Sequence, residues 1–176
     1  MKDYQRRQSA AFLPVKKCLA RSLKQPLPLF HSSVLLLFYL QHVGKYQKTK
    51  KTMLDTLDSL VKKGINIKVL CRVDIAGRRN VESLLSLNYK NGKEVIEIRH
   101  RHHPLRATIV DKQCFDMKEI KEPTGSIHEL DKKIFIFYNV KDKEWVEWIT
   151  RIFWKMFSLS IDANKRLENI DLLRVA

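Results

Sequence analysis

VKKGINIKVLCRVD, residues 61–74, reads as the last turn of a helix, a glycine stop and a strand that closes on an aspartate. Upstream of the glycine, Met53, Leu54, Leu57, Leu60 and Val61 recur at spacings of three and four, which predicts an amphipathic helix over residues 45–63. Gly64 stands where helices close in the left-handed conformation that a side chain resists. Residues 65–73 follow as a strand with Asp74 at its carboxyl end. Before the helix, residues 34–40 (VLLLFYL) form a continuous apolar run, the pattern of a strand covered on both faces. Strand, helix, strand in this order is a crossover that builds a parallel pair, right-handed by general rule.

Downstream, Asn80 is placed to cap a short helix through Leu87, and Asn91-Gly92 to make a turn. Residues 94–99 (EVIEIR) alternate as a half-buried strand does, and residues 107–110 (ATIV) form a short strand ending at Asp111. Residues 114–128 read as a polar loop and residues 133–138 (KIFIFY) as a buried strand. The clearest helix spans residues 142–160, with Asp142 as its cap and Trp145, Ile149, Ile152, Phe153 and Met156 along one face. That periodicity assigns Trp145, Trp148 and Trp154 to helix packing rather than to a base-stacking platform. The expected fold class is α/β, a mixed, largely parallel β-sheet flanked by helices. Residues 1–30 are a basic extension with three prolines, residues 31–160 the domain, and residues 161–176 a helical tail.

Composition narrows the class. Apolar residues at 44% and charged residues at 30% are globular proportions, sufficient for a core without disulfides or metals. Lys and Arg number 34 against 19 Asp and Glu, a net charge of +15, and such a field attracts phosphates. It also serves as a solubilising surface. Cys18, Cys71 and Cys114 show no C-x-x-C pair, which argues against a disulfide framework or zinc site and fits a reducing compartment. The run at residues 33–40 is far shorter than the roughly 20 apolar residues a membrane span needs. A soluble, cytoplasmic protein with no metal and no cofactor is therefore expected.

The segment that carries chemistry is RHRHHPLRATIVDKQ, residues 99–113. Bases and three histidines crowd the start of a strand, and an aspartate follows it; such a crowd marks a place for an anion. Together with VKKGINIKVL (61–70), PLRATIVD (104–111), GSIHE (125–129) and RIFWKMF (151–157), it resembles one repeat of the phospholipase D superfamily over residues 33–160. That family carries H-x-K-x-x-x-x-D, then a Gly-Ser pair and an aromatic-rich helix end. The resemblance implies metal-free phosphodiester chemistry: one histidine attacks phosphorus, a second protonates the leaving oxygen, the lysine neutralises oxygens and the aspartate orients a histidine.

Matched position by position, Asp111 holds the aspartate place and Arg106 replaces the lysine, but Pro104 occupies the nucleophile's place. Glu129 stands where asparagine is expected, after a loop longer than usual. Neighbouring strand residues face opposite ways, so His103 replaces the missing nucleophile only if a bulge at Pro104 turns it back. The resemblance thus implies a non-catalytic, regulatory domain, as in degenerate single repeats of the sensor domains of archaeal transcription regulators. His102, His103, Arg106, Asp111, Ser126 and His128 would hold a phosphate-bearing ligand or nucleic acid, in a homodimer. Two alternatives stand beside it: a homodimeric, metal-independent phosphodiesterase or nuclease using His103 and Asp111, and a generic nucleic-acid binder. The bland reading of the same residues makes the histidines the exposed end of an edge strand and Asp111 a turn former.

Overall fold

The structure, a computed structural model, describes residues 33–38, 47–126 and 132–175. In chain order these are β1 (Ser33–Phe38), α1 (Gln47–Lys62), β2 (Asn66–Cys71), α2 (Arg78–Asn91), β3 (Ile96–His100), β4 (Ala107–Val110), β5 (Cys114–Lys121), β6 (Ile134–Val140), α3 (Lys143–Ser158), β7 (Ile161–Asp162) and α4 (Ala163–Val175). The expectations for residues 1–30 and for His128 fall outside the described residues.

All seven strands join one mixed sheet in the order β6-β5-β4-β1-β2-β3-β7. β1, β2 and β3 run parallel at its centre, with Val34 opposite Ile67 and Ile67 opposite Ile96. β4 lies antiparallel to β1, β5 to β4, β6 to β5, and β7 to β3. Alternation along β1 divides the core: Val34 and Leu36 pack with α1, α2 and α4, whereas Leu35 and Leu37 pack with α3. Gly64 closes α1 at φ +74°, the left-handed cap that its position required, whereas α2 runs past Leu87 to Asn91 and Gly92, at φ +60°, is its left-handed cap rather than part of a separate turn.

Several expectations give way here. The stretch after Asp111 is not a loop: residues 114–121 form β5, and Asp111 and Lys112, at φ +50° and +54°, make the hairpin turn. Its strand pattern is Phe115 and Met117 toward the α3 core, alternating with Asp116 and Lys118, and the polar members disguise it. β6 is an edge strand, with Ile134 and Tyr138 exposed, rather than a buried one. Gly77, not Asn80, is the N-cap of α2, because Asp74 draws the Gly77 amide to its carboxylate at 2.8 Å and ends the turn there; Asn80 is buried inside the helix.

Asp142 does cap α3, accepting from the Trp145 amide at 3.0 Å. Its buried face, however, is Val146, Ile149, Thr150, Phe153 and Phe157. That face shares Ile149 and Phe153 with the expected one but is turned from it by about 70°, and Trp145, Trp148 and Trp154 remain exposed. Residues 161–175, expected as a helical tail, add β7 to the sheet and seat Ala163, Leu167 and Ile170 in the core. Among the described residues no helix is long and apolar enough to cross a membrane.

Candidate functional site

Parallel strands bring their carboxyl ends to one edge, and ligand sites of open α/β sheets lie at that edge. In this sheet β4 starts there and β5 passes it, because both are set by antiparallel pairing. The connection from β3 to β4, residues 101–106, must cross the ends of β2 and β1. Three strand spacings take about 14 Å, and the seven Cα steps from His100 to Ala107 reach about 23 Å at most. The basic, histidine-rich segment is therefore held close over the strand ends.

Hydrogen bonds pin it. The Arg101 amide donates to the Cys71 carbonyl at 3.0 Å, and His103 Nε2 lies 3.0 Å from the Leu70 carbonyl oxygen. A carbonyl only accepts, so Nε2 carries the proton and donates it. The His103 Nδ1 is buried without a hydrogen-bond partner, and the residue is only 5% exposed. Burial holds its pKa below the ordinary value. Its neighbours His102 and Pro104 face solvent, as alternation along an extended segment demands. The imidazole is thus not at an exposed strand edge but points inward, onto the Leu70 carbonyl.

Arg106, immediately before β4, and Lys118, on β5, stand beside one another, joined by a 2.9 Å bond from the Lys118 amide to the Arg106 carbonyl. The half-buried Lys118 ammonium lies 4.4 Å from the Phe135 ring centre and 5.7 Å from that of Phe137. Burial, and then the Arg106 charge, lower its pKa. Two residues earlier Asp116, 4% exposed, accepts from Asn139 at 2.6 Å through Oδ1 and leaves Oδ2 without a partner. Sequence reasoning missed Lys118 because it placed residues 114–128 in a loop; the alternation of Phe115 and Met117 with Asp116 and Lys118 was the signal.

The remaining expected residues are elsewhere. Asp111 lies at the amino edge of the sheet, where its Oδ1 accepts from the Ser33 amide at 2.8 Å and its own amide donates to the Ser33 carbonyl at 3.0 Å. The length of β4 separates it from Arg106 and His103, so it orients neither. Ser126 lies past the end of β5 and shares a 2.8 Å bond with Thr124. A second group gathers at the ends of β2 and β3. The Val73 amide donates to His100 Nδ1 at 2.9 Å, and Arg72 meets Asp74 at 3.1 Å. Among the described residues no three His, Cys, Asp or Glu side chains are grouped to hold a metal.

Neither a protein-family model nor a curated protein matches this sequence. Solved structures do, among them a phospholipase D family member, Nuc, from Salmonella typhimurium. That likeness has a TM-score of 0.50 at 12% identity and covers 74% of this chain and 80% of that one. Identity so low speaks for architecture alone, and on architecture it agrees with the mixed seven-stranded sheet and its four flanking helices. The fold of this chain is phospholipase D-like.

Proposed function

We propose that this chain is a non-catalytic phospholipase D-like domain that holds a phosphate-bearing ligand at the carboxyl edge of its sheet and serves regulation. The observation that carries the reading is Lys118: a half-buried ammonium set beside Arg106, with aromatic rings as its described partners and no carboxylate. A half-buried ammonium beside a second cation is costly to keep, and a bound anion relieves that cost. Against turnover stand Pro104 at the nucleophile's place and a His103 whose unprotonated nitrogen, Nδ1, is buried out of reach of a substrate.

Homodimerisation belongs to the same proposal. Trp145 and Trp148, 59% and 47% exposed, share one flank of α3 with Ile152 and Leu159 at helical spacing. Along that helix Glu144 and Glu147 precede Arg151 and Lys155, so a two-fold antiparallel pairing sets acidic against basic halves.

Calorimetric titration with inorganic phosphate tests the ligand reading. Lys118→Met is expected to weaken binding by about tenfold or more, the usual worth of a charge-assisted hydrogen bond. Unchanged affinity overturns it. Incubation with a chromogenic phosphodiester in EDTA is expected to give no turnover; turnover that His103→Ala abolishes overturns the non-catalytic half. Duplex DNA affinity that falls with salt at a log–log slope near −0.9 per phosphate, untouched by Lys118→Met, would instead mark a generic nucleic-acid surface.

A further inference from the structure

α4 faces the core with Ala163, Leu167 and Ile170, all buried, and Arg166 falls on that same side at i+3 from Ala163. Its Nε is out of water and has no hydrogen-bond partner. Among the described residues no carboxylate pairs with this guanidinium. Buried polar nitrogens of folded proteins are satisfied in the great majority of cases, so an orphan one calls for an absent acceptor.

Within electrostatic range of Arg166 is another donor. His100, the last residue of β3, uses Nδ1 to accept from the Val73 amide, which leaves the proton on Nε2. Arg166 from α4, His102 from the loop and Arg72 after β2 all act on His100 as positive charges, and Asp74 is the one negative charge among them. Asp74 is already engaged by Arg72 at 3.1 Å and by the Gly77 amide at 2.8 Å. With α4 lying against β3, three elements thus bring cationic or N–H groups within electrostatic range of His100, and Asp74, the carboxylate acting on it, is occupied.

We propose that Arg166, His100 and His102 form a second anion subsite for a phosphate group at the carboxyl corner of β2 and β3, apart from Arg106 and Lys118. It rests on reading this edge as phosphate-binding, and it assigns the ligand two phosphate groups rather than one. Between the two subsites lie the ends of β1 and β2, so the strands that carry them are three to four spacings apart, about 14–19 Å. That spacing suits a bisphosphate or successive phosphates of a chain better than one phosphate held from both sides. Burial, then Arg166, His102 and Arg72, hold His100 below its ordinary pKa. An anion placed there reverses that balance, so binding takes up a proton.

Titration of the full chain with inorganic phosphate near neutral pH is expected to show two equivalents. Arg166→Met removes one and Lys118→Met the other, each with a loss of about tenfold or more. The exposed His102→Ala, which leaves the core intact, weakens the Arg166 equivalent several-fold. In NMR titrations, saturating phosphate raises the midpoint of the His100 ring resonance in the wild type and leaves it unmoved in Arg166→Met. One equivalent, removed by Lys118→Met and unaffected by Arg166→Met or His102→Ala, refutes the second subsite while the first stands. An equivalent lost in Arg166→Met with none lost in Lys118→Met keeps this subsite and refutes the first. Two equivalents insensitive to all three variants refute both.

Discussion

His103 should make this fold acid-sensitive, and His103→Gln should remove its share of that sensitivity. The ring is buried and donates from Nε2 to the Leu70 carbonyl at 3.0 Å, so a second proton would bring a charge into a desolvated site, a cost that the Leu70 and Leu105 backbone only partly offsets. Burial therefore keeps the folded pKa below the ordinary 6.5. The unfolded chain takes up a proton near that ordinary value while the folded chain does not, so the unfolded state binds more protons in this window. The stabilisation is complete above pH 6.5 and is lost as pH falls toward the folded value. Over the window, one proton is worth at most about 1.4 kcal/mol per pH unit.

With a urea m-value of about 1–3 kcal/mol per molar, the unfolding midpoint should fall by about 0.5–1.4 M per pH unit on account of this residue. Glutamine places an amide N–H where Nε2 was and does not titrate. Urea unfolding followed by circular dichroism from about pH 5 to about pH 8 should show a shallower pH dependence in the variant, with the m-value unchanged. His100, also lowered, contributes a residue of the same sign that solvent screening reduces. Equal slopes for the wild type and His103→Gln would refute the buried, neutral imidazole and with it the structural argument against catalysis.

Asp111→Ala should cost about 1–3 kcal/mol through the lost bond to the Ser33 amide, yet leave phosphate affinity unchanged; a large affinity loss would return Asp111 to the site. Phe153→Ala, at a fully buried position between the α3 helix and the sheet, should cost about 3–5 kcal/mol in chemical unfolding. Trp145→Glu with Trp148→Glu should convert a concentration-dependent dimer to monomer in sedimentation equilibrium, and an unaltered mass would remove the α3 flank as the interface. Cys71, whose thiol burial pushes up to about 12, should resist alkylation until the chain unfolds.

The chain's local grammar was readable wherever one physical signal decided the outcome. Gly64 had to be a left-handed stop, Asp142 had to cap, and the apolar runs at β1 and β2 had to lie in a covered sheet. Such signals depend on residues a few positions apart. The face that α3 buries is different: WVEWITRIFW is apolar around more than half its circumference, so periodicity allows both the Trp145 stripe and the Val146 stripe. The choice fell to the sheet surface of Leu35, Leu37 and Phe115 against which the helix lies.

For the site, residues 99–113 alone marked where cations gather, and Pro104 alone marked the missing nucleophile. Which of those cations share a space was a matter of strand order. Because β3 and β4 are separated by β2 and β1, the loop between them is drawn across the strand ends, sending His103 inward and His102 outward. Because β5 pairs back on β4, Lys118 arrives beside Arg106, while Asp111 at the hairpin turn is carried to the opposite edge. Those contacts join residues far apart in the chain, and only long-range backbone pairing brings them together. Residue type and short spacing determined the elements and the charge; the pairing of distant strands determined the site.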